Sequence, residues 1–214
     1  LILNFGLVFL VIGIAFKLGA VPFHMWAPDV YQGSPTSVTM FLSTVPKIAA
    51  VTLLVRLLIN GLSDFQHYWA DLFMILAVLS IAVGSLVALT QVNIKRMLAY
   101  STISHIGFVL LGFVTGVLEG YGSAIFYVFV YILMSLAAFG SIIVLNRSGF
   151  EADQISDFRG LSKHSPWFAL IMLAVMLSMA GVPPFIGFYS KLFILQQVVS
   201  EGYVILAVIA VIFA

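Results

Sequence analysis

Long apolar runs separated by short polar passages fill the chain. Their lengths predict helices of membrane-crossing size, and nowhere does the two-residue alternation of a half-buried strand persist. The first run, residues 1–31, carries Lys17 and is interrupted by Gly19 and Pro22, a poor helix former and a residue with no N–H to donate. At some 30 residues it is too long for one straight crossing, so it reads as a broken helix closed by the interfacial aromatics Trp26 and Tyr31. QGSPTS (32–37) is a turn and helix start. The second span, 36–60, centres on Lys47, directly after Pro46, and ends near Arg56, which can snorkel to the headgroups.

After the loop GLSDFQH, the third span, 68–90, has no charge beyond Asp71 at its start. The fourth, 92–116, opens with Asn93, Lys95 and Arg96 and carries Tyr100, Ser101, Thr102, Ser104 and, near mid-depth, His105. The fifth, 121–146, is apolar and aromatic. Residues 147–165, RSGFEADQISDFRGLSKHS, form the one long polar stretch. Phe150, Ile155, Phe158 and Leu161 recur there at near-helical spacing, which predicts an amphipathic surface segment. The sixth run, 166–200, is again overlong. It is broken at Gly181, Pro183 and Pro184, with Lys191 beyond the break, and a seventh begins near Tyr203.

Composition fixes the class. Hydrophobic residues make up 63% of the 214, charged residues 8%, and the mean hydropathy is +1.19, whereas a soluble domain carries about 25% charged residues. The fold expected is all-α, a polytopic transmembrane helical bundle of some seven spans in a lipid bilayer. A net charge of +1 argues against nucleic acid. With no cysteine, disulfides, cysteine-ligated iron–sulfur clusters and a C-x-x-C-H haem site are excluded within the chain. Both ends lie in apolar runs and the first residue is Leu1, as expected of an internal part of a longer subunit. Taken alternately, the loops put Lys95, Arg96, Arg147, Arg159 and Lys163 on one side and only Arg56 near the other, which predicts that 90–96 and 147–165 are cytoplasmic.

AVPF (20–23) and GVPPF (181–185) each break an overlong apolar segment that carries a lysine, and five spans separate them. That pattern predicts an inverted repeat with two discontinuous helices, 1–60 ending the first repeat and 68–214 holding most of the second.

The chemistry sits in four ionisable residues placed deep in these spans: Lys17, Lys47, His105 and Lys191. A lysine near the bilayer centre costs about 2.5–3.5 kcal/mol on insertion scales. Lysine and histidine can gain and lose a proton in such sites, whereas arginine cannot. No arginine is among the four, so the set favours proton relay over fixed charge. Pairing with backbone carbonyls or snorkelling is the bland alternative, and His105 is open to a hydrogen-bonded core role. Lys95 is interfacial or joins the relay. Tyr100, Ser101 and Ser104 can hold internal water, although serines in membrane helices more often bond their own backbone. His24, Asp29 and Asp157 read as loop and interface residues, and the aromatics as packing and belts. There is no His pair at metal-ligand spacing, phosphate-binding glycine loop or G-x-S-x-G.

PFHMWAPDVYQGSPTSV, the lysine of STVPKIAA, QVNIKRMLAYSTISHIGF and AGVPPFIGFYSKLFIL together resemble the antiporter-like membrane subunits of respiratory complex I, over nearly the whole chain. A lysine rather than a histidine after PDVYQGSPTSVTMFL is similar to one branch of that family. The resemblance implies a fourteen-helix subunit of which these residues are helices seven to thirteen, with seven and twelve discontinuous. It implies that Lys17 is the lysine of the first broken helix, Lys47 the central lysine of the next, His105 part of SxxSHxGF, and Lys191 the lysine of the second broken helix. In that family these residues line a hydrated axis that moves protons, driven by quinone reduction elsewhere in the complex. The first lysine is paired there with a glutamate on an earlier helix, for which these 214 residues offer no counterpart. NADH, FMN, iron–sulfur clusters and quinone are then expected in partner subunits, with no cofactor in this chain, in a bacterial inner membrane. A cation/proton antiporter or membrane hydrogenase subunit would use the same helices, and a non-conducting scaffold would keep the lysines as bound charges.

Overall fold

The structure, a computed structural model, describes residues 2–146 and 152–214, with side chains from Phe5 onward. Helix α1 (Ile2–Leu18) stops where Gly19 turns left-handed at φ 77°. There the Gly19 N–H donates to Phe16 O at 3.1 Å and the Ala20 N–H to Ala15 O at 2.8 Å, a glycine-closed helix end. A passage through the cis Val21–Pro22 bond leads to α2 (Trp26–Gly33). Pro35 then sets the start of α3 (Thr36–Asn60), which contains Pro46. A short 3₁₀ turn (Ser63–Phe65) enters α4 (Gln66–Ala88). Asn93 caps α5 (Ile94–Val114) by accepting from the Arg96 N–H at 3.0 Å. Helix α6 (Leu118–Leu145) completes the run of uninterrupted elements.

Four of these stretches, Thr36–Asn60, Ser63–Ala88, Ile94–Val114 and Leu118–Leu145, are long and apolar enough to cross a membrane. The protein is an all-α membrane bundle. Beyond the polar stretch come α7 (Leu161–His164), α8 (Pro166–Ala180), α9 (Ile186–Ser200) and α10 (Val204–Ile212). Helix α8 ends as α1 does: Gly181 is left-handed at φ 81°, and the Val182 N–H reaches back to Leu177 O at 3.0 Å.

Helix α5 is the axis of the bundle, 78% of its membrane window being buried within the protein. It lies closest along α4, because lipid tails are as apolar as leucine and helices in a bilayer gain by close backbone approach at small residues. Gly84 on α4 and Gly107 on α5 make that approach. A Cβ at Gly84 would stand 2.5 Å from Ser104 N, and one at Gly107 would stand 2.8 Å from Ala77 O. A larger apolar cluster (Leu54, Phe73, Ile106, Phe113, Val198) fills the bundle on one side of this pair, and a second (Tyr31, Leu98, Phe139, Met172, Met179) links α2, α5, α6 and α8.

The polar stretch is described from Ala152 onward. Phe150 and Arg147 lie outside the described residues. Among residues 152–165, a 3₁₀ turn (Ile155–Phe158) is followed by extended Arg159, left-handed Gly160 at φ 79° and the single turn of α7, so no continuous amphipathic helix forms. The segment is instead tied to the start of α5. Asn93 and Gln154 form an antiparallel bridge, with Ile94 N–H donating to Asp153 O at 2.7 Å and Ile155 N–H to Val92 O at 3.0 Å.

Candidate proton-relay site

A helix end leaves carbonyls without intrahelical partners, and its partial negative charge attracts a cation. Both breaks present such an end inside the bundle. At the first, the Lys47 ammonium of α3 donates to Leu18 O, the last residue of α1, and lies 5.5 Å from the centre of the Trp26 ring. Trp26 is held over the break by its own Nε1–H, which donates to Phe16 O at 2.9 Å. At the second, the Lys191 ammonium of α9 donates to Ala180 O, the last residue of α8, at 3.1 Å and lies 5.2 Å from the centre of the Phe108 ring. Each lysine thus has a carbonyl for its charge and an aromatic face beside it. Lys47 is 1% exposed and Lys191 8%.

The fit at the second break depends on glycine. A Cβ on Gly181 would meet Lys191 Cδ at 3.0 Å and Nζ at 3.2 Å. Gly187 accommodates the Ser178 carbonyl where a side chain would overlap it, and its N–H donates to Ser178 Oγ at 3.2 Å.

His105, 4% exposed, stands on α5. Its Nδ1 is 2.6 Å from Tyr127 OH, and its ring centre is 5.5 Å from that of Tyr131. The Tyr131 hydroxyl reaches Ser43 O, one turn before Lys47, at 3.1 Å. Both tyrosines come from α6, whose aromatics read in the sequence as packing. Only their hydroxyl contacts, visible in three dimensions, separate them from the other rings of that helix.

Lys95 is buried at the bundle end, 3.0 Å from Asp153 Oδ1 and 3.1 Å from Ser34 O at the close of α2. Beside it Arg96 pairs with Asp29 at 2.6 Å and Gln32 at 3.1 Å. Asp157 accepts from the Gln154 N–H at 2.9 Å and caps the 3₁₀ turn. His24 is buried beside Tyr100, its ring centre 6.4 Å from the tyrosine's, and its Nδ1 has no hydrogen-bond partner.

Lys17 is placed differently from the other three. The helix turns Val11, Ile14, Ala15 and Leu18 toward the other helices described, and these residues leave Lys17 uncovered, lining a groove with Gly13, Ala49, Leu53 and Leu57. At the first break the last carbonyl of α1 is met by Lys47 from the following helix, whereas at the second the last carbonyl of α8 is met by Lys191 from the same broken segment. The neighbourhood supplies carbonyl, hydroxyl, imidazole and ammonium groups. Among the described residues no three His, Asp or Glu side chains converge as metal ligands would.

The family described as "NADH:quinone oxidoreductase/Mrp antiporter, TM" matches residues 1–214. NADH-quinone oxidoreductase subunit N of Ruthia magnifica is 73% identical over 208 residues, 97% of this chain and 43% of the relative. Subunit N of Thioalkalivibrio sulfidiphilus is 58% identical over 212 residues, 99% of this chain and 44% of the relative. The chain thus spans less than half the length of these curated relatives. Among solved structures it is similar to a chain of respiratory complex I from Thermus thermophilus with bound aureothin, with a TM-score of 0.84 and 34% identity over 98% of this chain and 46% of that one. It is likewise similar to a chain of the Mrp complex from a Dietzia species, with a TM-score of 0.86 and 26% identity over 95% of this chain and 38% of that one.

Proposed function

The chain belongs to the NADH:quinone oxidoreductase/Mrp antiporter transmembrane family, and on that premise we propose that it forms part of a proton-translocating membrane subunit of an NADH:quinone oxidoreductase. The observation that carries this reading is the paired placement of Lys47 and Lys191, each closing on the last carbonyl before a break, with buried His105 held by Tyr127 in the same bundle. The matching glycine-closed ends at Gly19 and Gly181 support two discontinuous helices related by an inverted repeat. Lysines held in this way carry a proton without being fixed as charges, and His105 passes it between them. Lys17, left uncovered by the described helices, acts as a gated carrier with an acidic partner supplied by another segment. Lys95, held by Asp153 at the rim, is the point where the relay meets the cytoplasmic loops 90–96 and 147–165.

The chain contributes proton movement and no redox chemistry. NADH, FMN, iron–sulfur clusters and quinone belong to partner subunits in a bacterial inner membrane. Moving one charge against 100 mV requires about 2.3 kcal/mol, so the drive comes from quinone reduction in those partners. The likeness to the Mrp complex favours one second reading, a cation/proton antiporter subunit, in which Na⁺ is also moved.

Lys47→Ala and Lys191→Ala in the full-length subunit of the whole complex test the proposal. Assembled complex with reduced quinone reductase activity and lost proton pumping in membrane vesicles is the expected result. Wild-type pumping and quinone reduction in both variants would refute it. Na⁺ uptake in place of H⁺ would move the assignment to the antiporter reading.

A further inference from the structure

Lys47 and Lys191 sit at the two breaks, and α5 and α6 bring a ring to one and a hydroxyl to the turn before the other: Phe108 lies by Lys191 and Tyr131 reaches Ser43 O. Tyr127 and Tyr131, four residues apart on one face of α6, are each 1% exposed. Tyr127 anchors His105 through Nδ1, and its ring stacks on Phe108 at 5.9 Å, the same ring that Lys191 faces. Tyr131 has two acceptors in reach on other helices, Ser43 O on α3 at 3.1 Å and Thr102 Oγ1 on α5 at 3.0 Å. Within α6 its hydroxyl also meets the Ser135 side chain, whose hydroxyl can donate to it. The Thr102 hydroxyl donates its own proton to Leu98 O at 2.8 Å, so it has none to give Tyr131.

Counting protons then leaves a choice. A phenol carries one donor, and two acceptors of near-equal distance on different helices compete for it. The Ser43 carbonyl belongs to the turn that leads to Lys47, a turn loosened because Pro46 has no N–H for the carbonyl four residues before it. Thr102 lies one turn before His105 on α5. Donation to Ser43 holds the lysine turn, and donation to Thr102 holds the histidine turn.

We infer that Tyr131, with Tyr127 fixing the His105 ring, is a further positioning residue of the proton path proposed above, on which the inference rests. Its hydroxyl exchanges between Ser43 O and Thr102 Oγ1 and so links the placement of Lys47 to that of His105. One hydrogen bond replaces another of the same kind, so the exchange needs no change in the number of satisfied groups, and a shift of charge at either lysine tips it.

The test uses Y131F, T102V, T102S and Y127F in the full-length subunit within the assembled complex. Proton uptake by inverted membrane vesicles is read against quinone reduced and across pH, with complex content measured by native gel. Y131F keeps the ring and loses only the hydroxyl. It is expected to lower protons moved per quinone by roughly 3- to 10-fold, the scale of one buried hydrogen bond, and to shift the pH profile of pumping. T102V is expected to do the same, while T102S, which retains the acceptor, stays near wild type. Y127F is expected to shift the pH profile through His105. Wild-type stoichiometry and pH profile in Y131F or in T102V would overturn the exchange, as would equal loss in T102S and T102V. Lys47→Ala and Lys191→Ala run alongside separate the two levels. If those variants pump normally, the relay reading itself fails. If they are inactive while Y131F pumps as wild type, only the role of Tyr131 is lost.

Discussion

Gly84→Ala adds one methyl group where α4 and α5 cross closely, and the atoms it meets cannot turn away. An alanine Cβ at position 84 lies 2.5 Å from Ser104 N and 2.9 Å from both Ser104 Cα and Tyr100 O, all of them backbone of α5. Carbon needs about 3.5–4.0 Å from such neighbours, so α4 and α5 must separate by roughly 1 Å. Overpacking of this kind costs about 1–3 kcal/mol, offset by at most about 1 kcal/mol of improved helix propensity. Gly140→Ala is the matched control: it lies inside α6, and a Cβ there meets nothing within 4 Å, so it is expected to be neutral or to stabilise by up to about 1 kcal/mol. Unfolding of the full-length subunit by a denaturing detergent titration, with both variants in parallel, reads the difference. Because Ser104 adjoins His105, the same displacement moves the imidazole, and proton pumping by Gly84→Ala is expected to fall by an order of magnitude or more. Equal stability and equal pumping in the two variants would refute the claim that this contact sets the position of α5.

Gly181→Ala is expected to be worse than Gly19→Ala. Both positions are left-handed and cost about 1–2 kcal/mol, but only at 181 does the new Cβ crowd the lysine, at 3.0–3.3 Å along its side chain, against 3.4 Å from Lys47 Nζ at position 19. Thermal stability should fall in both variants and pumping further in Gly181→Ala. Trp26→Phe removes the bond to Phe16 O and weakens the aromatic face on Lys47. A loss of about 0.5–1.5 kcal/mol is expected by denaturant titration, with reduced pumping. Asp153→Ala removes one ionic partner of buried Lys95 and should destabilise by about 0.5–1.5 kcal/mol, with earlier proteolytic cleavage near residues 152–165 as the measurable sign.

The breaks were legible because glycine and proline announce them, and Lys47, Lys191 and His105 because a charge in an apolar run has few reasons to be there. Which face of each helix turns inward was not. In a soluble protein the polar side of a helix marks its exposed face, but lipid is as apolar as a core, so Phe9 and Phe16, both well exposed, look no different in sequence from buried Phe73 and Phe113. That loss of contrast is why the sequence does not set Tyr127 and Tyr131, with their hydroxyl contacts to other helices, apart from packing aromatics. Small residues are the signal that survives, since Gly84 and Gly107 mark a contact that only they permit. In the polar stretch, Ile155, Phe158 and Leu161 keep a helical spacing, but left-handed Gly160 divides them, and pairing with Asn93 outweighs the short-range pattern.

The length of α8 has an electrical consequence. Trp167, 76% exposed, marks its outer end as interfacial, and its 15 residues rise only about 22 Å before the chain breaks beside Lys191. In a hydrocarbon layer of about 30 Å, that leaves roughly a quarter of the thickness beyond the break. On the proposed relay, a charge passing between Lys191 and the far surface would cross only that fraction of the membrane field, about 0.6 kcal/mol per 100 mV instead of 2.3, and most of the electrical work would fall on the steps along α8.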